Sequence, residues 1–301
     1  MPEIVYIDFV LNLSKPMYKR PLKANIFPAY GYGGLLLLLI FWYIMWSYNG
    51  LRAHWAFFPL WLSYILVVNA CTERLKGNCL IRRSFRAWMW LFILSAPVWW
   101  IFEWLNYRAQ YWEYTDVESF TPFAFNLYAT LNFSTVLPAV FGTAELIGAL
   151  VPENQWQHGL KWGAKSWFRK FFFLSGIAML LSFYFWPLYG AAFLWMSLFF
   201  ILDPINFRLG FISLLRETAC GHWRTVFVLW MASIVCGFFW EMWNYWAAPK
   251  WVYHVPFVDF WHVFEMPLLG YLGYLPFALE LYAMYHFFLG LAGKSSRLEF
   301  K

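Results

Sequence analysis

Four stretches without a single charged residue, at positions 35–51, 87–102, 171–202 and 225–239, constrain this chain more than any motif does. About 20 consecutive apolar residues span the hydrocarbon layer of a bilayer as a helix. Charged residues make up only 13% of the chain, about half of what soluble domains carry. The runs therefore predict an all-α integral membrane protein. Eight spans are expected, roughly 31–49, 54–70, 86–105, 122–150, 170–188, 190–203, 223–245 and 260–292.

The net charge of +6 could point to nucleic acid, but its placement argues for topology instead. With the N-terminus in the cytoplasm, 19 of the 22 Lys and Arg fall in cytoplasmic segments, and only Arg52, Arg108 and Lys250 fall outside. That is the positive-inside pattern, and it puts both termini on the cytoplasmic side. A bacterial inner (cytoplasmic) membrane is the expected location, with no nucleic-acid partner. The segment PEIVYIDFVLNL near the N-terminus is too short to span and is expected to lie along the interface. No secretory signal peptide is expected, because the basic residues follow the first apolar stretch.

Two phrases recur. Glu103, Asn106 and Tyr107 of FEWLNY match Glu241, Asn244 and Tyr245 of WEMWNYW without a gap. One inserted residue then brings Trp112 and Tyr114 opposite Trp251 and Tyr253; further on, Glu145 falls opposite Glu280, 42 residues after the first glutamate in one half and 39 in the other. Two parallel repeats of four spans each are therefore expected, with functional sites between them. The division runs 1–30 for an interfacial segment, 31–150 for the first repeat and 151–169 for a basic linker. The second repeat covers 170–292, and 293–301 is a cytoplasmic tail.

Five glutamates lie within or at the edges of spans: Glu103, Glu145, Glu241, Glu265 and Glu280. A carboxylate at a helix centre costs about 2.5–3.5 kcal/mol on insertion, so each needs a reason to persist. Glu103 with Asn106, and Glu241 with Asn244, share a helix face at i, i+3, so the amide could hold the carboxyl in one orientation. A polar clamp ringed by interfacial tryptophans would explain the same spacing. Glu145, between Gly142 and Gly148, reads as a packing residue. Pro267, Gly270, Gly273 and Pro276 predict a broken last helix presenting Glu265 and Glu280 to a cavity. Asp203 reads as a residue that closes a helix at Pro204.

Glu241, Trp251-Val-Tyr253, Pro256 and Glu265-Met-Pro267-Leu268 form a pattern that resembles the integral membrane carotenoid cyclases of lycopene-cyclase type, and is similar to the membrane carotenoid hydratases. The likeness covers about fifty residues, with a fainter echo at Glu103, Trp112 and Tyr114. Leu268, Leu269 and Gly270 follow Pro267 where the cyclases carry paired acids. The resemblance implies protonation of an isoprenoid double bond by a neutral carboxyl, in a pocket whose aromatic faces tolerate a carbocation. Glu241 would then be the proton donor, Glu265 its partner and Glu103 the counterpart in the first half. Asn244, Asn106, Trp240, Trp243, Tyr245, Trp251, Tyr253 and Glu280 would surround the substrate.

No metal, nucleotide or other cofactor is expected, since P-loop, HExxH, GxSxG and CxxC patterns are all missing from the sequence. The expected partner is a hydrophobic small molecule, an isoprenoid or lipid. A non-catalytic subunit of a larger assembly that holds a pigment or quinone, or a proton-coupled transporter, stays open beside the enzyme. The charge pattern predicts that a phosphatase reporter is active when fused after residue 118 or 255 and silent after 160 or 301. A fluorescent-protein reporter should show the reverse. Equal activity of one reporter at all four sites would contradict the topology.

Overall fold

The computed structural model describes residues 26–300. The interfacial segment at 2–13, together with Lys15, Lys19, Arg20, Lys23 and Lys301, lies outside the described residues.

Nine helices of twelve or more residues account for most of the described chain. They are α1 (Ala29–Ser47), α2 (Ala53–Lys76), α3 (Phe85–Ala109), α4 (Pro122–Phe133), α5 (Val136–Leu150), α6 (Ser166–Phe185), α7 (Ser197–Leu209), α8 (Arg224–Tyr245) and α9 (Tyr274–Leu291). With α4 and α5 taken as one stretch, and α7 with the turn Ala191–Leu194 before it, seven are long and apolar enough to cross a membrane. This is an integral membrane protein. α9 is not among the seven; it carries Glu280, His286 and Tyr274, Tyr282 and Tyr285.

Local chemistry sets the helix boundaries. Ser84 and Thr121 cap α3 and α4 by accepting from Ala87 N and Ala124 N, and Pro122 stands at the first helical position, where its missing N–H costs nothing. α2 and α7 stop at Gly77 and Gly210, whose φ of +73° and +80° only glycine adopts without strain. α7 runs straight through Asp203 and Pro204, which corrects the expectation that Asp203 closes a helix there. Asp203 is fully buried and instead accepts from Leu214 N, Leu215 N and Ser213 Oγ at 2.8–3.0 Å, capping the short helix Leu214–Ala219.

The core lies where α5, α8 and α9 meet. α5 packs on α2, α3 and α8, while α9 packs on α7 and α8. α1 and α6 flank the bundle, and only 17% of the apolar window of each is buried, which leaves most of their surface for lipid.

The two ends of the bundle differ. At one end the basic residues gather: Arg224 donates to Gly148 O, Val151 O and Pro152 O at 2.7–3.0 Å, satisfying the last carbonyls of α5. Arg83 pairs there with Glu145 and donates to Arg297 O, while Glu299 N donates to the same carboxylate at 3.0 Å. The tail is thereby pinned, and Phe300 is buried against Phe141 and Tyr282. At the other end two four-residue strands, β1 (Trp112–Thr115) and β2 (Lys250–Tyr253), form an antiparallel ribbon that an all-α reading lacks. Residues 260–273 do not extend the last helix either. His262–Val263 pairs with Met266–Pro267 as a small hairpin, and Leu268–Gly273 is a 3₁₀ turn, so α9 begins only at Tyr274.

Arg83→Leu should leave the Glu145 carboxylate, 2% exposed, without its cation, at a cost of about 3–5 kcal/mol. A thermal melt in detergent should show the loss, and carboxypeptidase should then trim the tail; Glu145→Gln in the same chain should restore much of the stability. A variant as stable and as protected as the wild type would contradict the pinning.

Candidate functional site

The ribbon organises the site. Side chains alternate across a strand, so Trp112 and Tyr114 share one face of β1 while Trp251 and Tyr253 share one face of β2. The register sets Trp112 opposite Tyr253 and Tyr114 opposite Trp251, so the four rings form a single aromatic surface. Glu113, on the other face, pairs with His254 at 3.1 Å.

What holds the ribbon is the pair of asparagines at the ends of α3 and α8. Asn106 Nδ2 donates to Trp112 O at 2.8 Å, and its Oδ1 accepts from Tyr111 N at 2.8 Å and Trp112 N at 3.3 Å. Asn244 repeats this: Nδ2 donates to Trp251 O at 2.7 Å and Oδ1 accepts from Trp251 N at 2.9 Å. Both amides are therefore spent on strand backbone rather than on the glutamates one turn earlier. The i, i+3 spacing locates each group, but the carboxyls are oriented by other residues.

Glu103 Oε1 accepts from Tyr114 OH at 2.6 Å, Trp99 Nε1 at 2.8 Å and Trp112 Nε1 at 3.2 Å. Glu241 Oε1 accepts from Tyr274 OH at 2.6 Å and Tyr253 OH at 2.9 Å, and Trp251 Nε1 donates to that second phenol at 2.9 Å. Tyr114 thus stands to Glu103 as Tyr253 stands to Glu241. The third donor differs in origin. Trp99 precedes Glu103 by four residues; the residue four before Glu241 is Gly237, where an added Cβ would lie 2.5 Å from the Tyr274 ring. Glycine there leaves room for a tyrosine from α9 to reach the carboxyl. Glu241 is fully buried, and its Oε2 has no hydrogen-bond partner. Burial first, and then the adjacent carboxylate, push the phenols of Tyr114 and Tyr253 well above the usual tyrosine range, so both stay protonated.

A cavity of about 1000 Å³ lies against the aromatic surface, its wall almost entirely apolar. Trp99, Trp112 and Tyr114 from one half line it together with Trp251, Tyr253 and Tyr274 from the other. The glutamates do not: Glu103, Glu241, Glu265 and Glu280 all stand outside the wall. The phenols are what a molecule in the cavity would touch, with a carboxyl directly behind each.

The remaining candidates separate by their partners. Trp240 lines the cavity and stacks on Tyr274, with centroids 6.0 Å apart. Trp243 is fully buried core, packed on Trp61 at 4.9 Å, while Tyr245 sits outside, near Lys250. Glu265 is on the hairpin, ion-paired with Lys250, and does not share a helix with Glu280. Glu280 is fully buried and accepts from Leu198 N at 2.9 Å. It thereby caps the N-terminal turn of α7, where a carboxylate also meets the positive end of the helix dipole.

Tyr274 and Trp99 were not among the expected site residues. Gly237 inside an aromatic-rich helix was the available signal for Tyr274, since a missing side chain there marks a close approach from elsewhere. Among the described residues, no cluster of three or more His, Cys, Asp or Glu could hold a metal ion. No family model, curated protein or solved structure matches the chain.

Asn244→Asp keeps the acceptor for Trp251 N but sets a carboxylate against Trp251 O. About 1–3 kcal/mol of stability should be lost, read as a lower denaturation midpoint in detergent, and Asn106→Asp should behave alike. Two unshifted midpoints would contradict the clamp.

Proposed function

We propose that the chain binds a hydrophobic isoprenoid or lipid in the aromatic cavity and acts on it by acid catalysis, with the paired Tyr–Glu groups as proton sources. The observation that carries this reading is the convergence of Tyr114–Glu103 and Tyr253–Glu241 on one apolar cavity. We place it in a bacterial cytoplasmic membrane, with eight spans, both termini cytoplasmic and two parallel repeats related by an axis along the bilayer normal. The ribbon supports the repeats: when Trp112 matches Trp251 and Tyr114 matches Tyr253, a two-fold axis pairs each Trp with the other half's Tyr, as the register does. The packing of α1 on α2 and of α6 on α7 fits the same relation.

In this reading the phenol is a relay. With Glu241 neutral, the Tyr253 hydroxyl turns its proton from Oε1 toward the cavity and accepts from the carboxyl. The Glu241 proton then moves to the Tyr253 oxygen as the phenol proton passes to one carbon of a double bond. The products are a Glu241 carboxylate and a carbocation on the adjacent carbon. Tryptophan faces on the ribbon stabilise that cation by about 0.5–2 kcal/mol each. Loss of a proton from a neighbouring carbon, or addition of water followed by proton loss, returns the proton through Tyr253 to Glu241. The carotenoid cyclases and hydratases that residues 241–268 resemble are described by chemistry of this type.

Glu241→Gln and Tyr253→Phe should each slow conversion of the bound molecule by about 10²–10⁴-fold, the usual worth of a positioned acid. Lipophiles extracted from purified wild type and variants would be identified by mass spectrometry. Precursor accumulating with the variants is the expected result. The same unreacted pigment or quinone with every protein would favour the binding subunit, and Glu241-dependent proton uptake in vesicles would favour the transporter. Either would overturn acid catalysis.

A further inference from the structure

One wall of the cavity is polar in a way that neither Tyr–Glu pair explains. α4 turns Phe125, Tyr128, Ala129, Asn132 and Phe133 toward the cavity, a stripe at helical spacing, and His54 from the first turn of α2 lines it beside them. The His54 ring lies 4.8 Å from the Tyr128 ring, centroid to centroid, and Asn132 follows Tyr128 by one helical turn. His54 Nδ1 and Asn132 Oδ1 are buried without a hydrogen-bond partner, and Tyr128 lines the same stretch of wall between them. Polar atoms in an apolar cavity cost free energy unless something pairs with them.

We infer that His54, Tyr128 and Asn132 form a subsite for a single uncharged polar end group, a hydroxyl or carbonyl, on an otherwise hydrocarbon ligand. The inference rests on the reading of the cavity as a lipophile site and narrows it to a chemical class. Charge is the deciding argument. Lys250 is the one Lys, Arg, Asp or Glu in the described wall, and Glu265 already neutralises it. Arg52, next to His54, spends its guanidinium on the carbonyls of Met45, Gly50 and Trp246. A phosphate or carboxylate entering this wall would meet no free cation, whereas a hydroxyl or ketone finds both donors and acceptors. The wall is also one-sided. In the second half the stretch before α9 is the six-residue turn Leu268–Gly273, with no α4 counterpart. The two Tyr–Glu pairs are near-equivalent, yet the His54, Tyr128 and Asn132 cluster has no counterpart beside the second pair, so the two ends of a ligand meet unlike surroundings.

The test uses phytol, phytane and phytyl phosphate, which share one branched carbon skeleton and differ at the end. Binding to the full-length protein in nanodiscs would be read by quenching of tryptophan emission. Wild type should prefer phytol over phytane by about tenfold or more, with phytyl phosphate weakest. Tyr128→Phe removes one hydroxyl without changing packing; it and Asn132→Leu should each reduce that preference about fivefold, the worth of one neutral hydrogen bond. Phytane binding should stay unchanged in both. Equal binding of phytol and phytane by wild type overturns the subsite and leaves the cavity reading standing. Undiminished preference in both variants, or tightest binding of phytyl phosphate, also overturns it. No quenching by any of the three removes the cavity reading and the subsite together.

Discussion

Backbone groups that leave a helix in apolar surroundings must find partners inside the protein, and here two asparagines meet that requirement. Where α3 and α8 end, Asn106 and Asn244 each pair one strand residue through both its N–H and its C=O. The strands so held satisfy one another across the ribbon. Much of the site follows from that. The ribbon turns Trp112, Tyr114, Trp251 and Tyr253 onto one surface, and the surface delivers a phenol to each of two glutamates that α3 and α8 hold in place. An asparagine is suited to this because it is donor and acceptor at once; neither an aspartate nor a leucine could close the same pair of bonds.

The glutamates look alike in sequence and differ in what surrounds them. Glu145 is bound to Arg83 and to the backbone of the tail, and Glu280 caps the start of α7. Glu145 is thus ion-paired, whereas Glu280 has one backbone donor and its Oε2, like that of Glu241, is buried without a partner. Glu265 is held by Lys250 on a hairpin at the ribbon end. Glu103 and Glu241 differ from these three, because their partners are tyrosine and tryptophan side chains that themselves face the cavity. Glu280 too is held only by a neutral donor, but that donor is backbone N–H of α7; only at Glu103 and Glu241 do side chains of the cavity wall hold the carboxyl.

The helical architecture was legible because long uncharged runs allow little else. The recurrence of Glu, Asn, Trp and Tyr picked out the residues that converge. What those residues touch was less visible. Asn106 and Asn244 are one turn from their glutamates, yet bond forward to strands six or seven residues later; spacing along a helix cannot reveal a partner that lies beyond its end. WEYT and KWVY do alternate aromatic and non-aromatic residues between turn-forming neighbours, a strand signal that two four-residue segments carry only weakly. The start of α9 was placed too early because prolines and glycines at 267–276 fit a kinked helix as well as a hairpin and turn. Tyr274 escaped for a related reason, since its role depends on Gly237 in another helix.

The central claim is that both Tyr–Glu pairs face one cavity occupied by one molecule. A photoreactive benzoylphenylalanine placed at Tyr114 in one variant and at Tyr253 in another would test it most directly. After irradiation in membranes, the adducts would be identified by mass spectrometry. The account predicts the same lipophilic molecule attached at both positions. Different molecules at the two positions, or only bulk phospholipid at each, would contradict it.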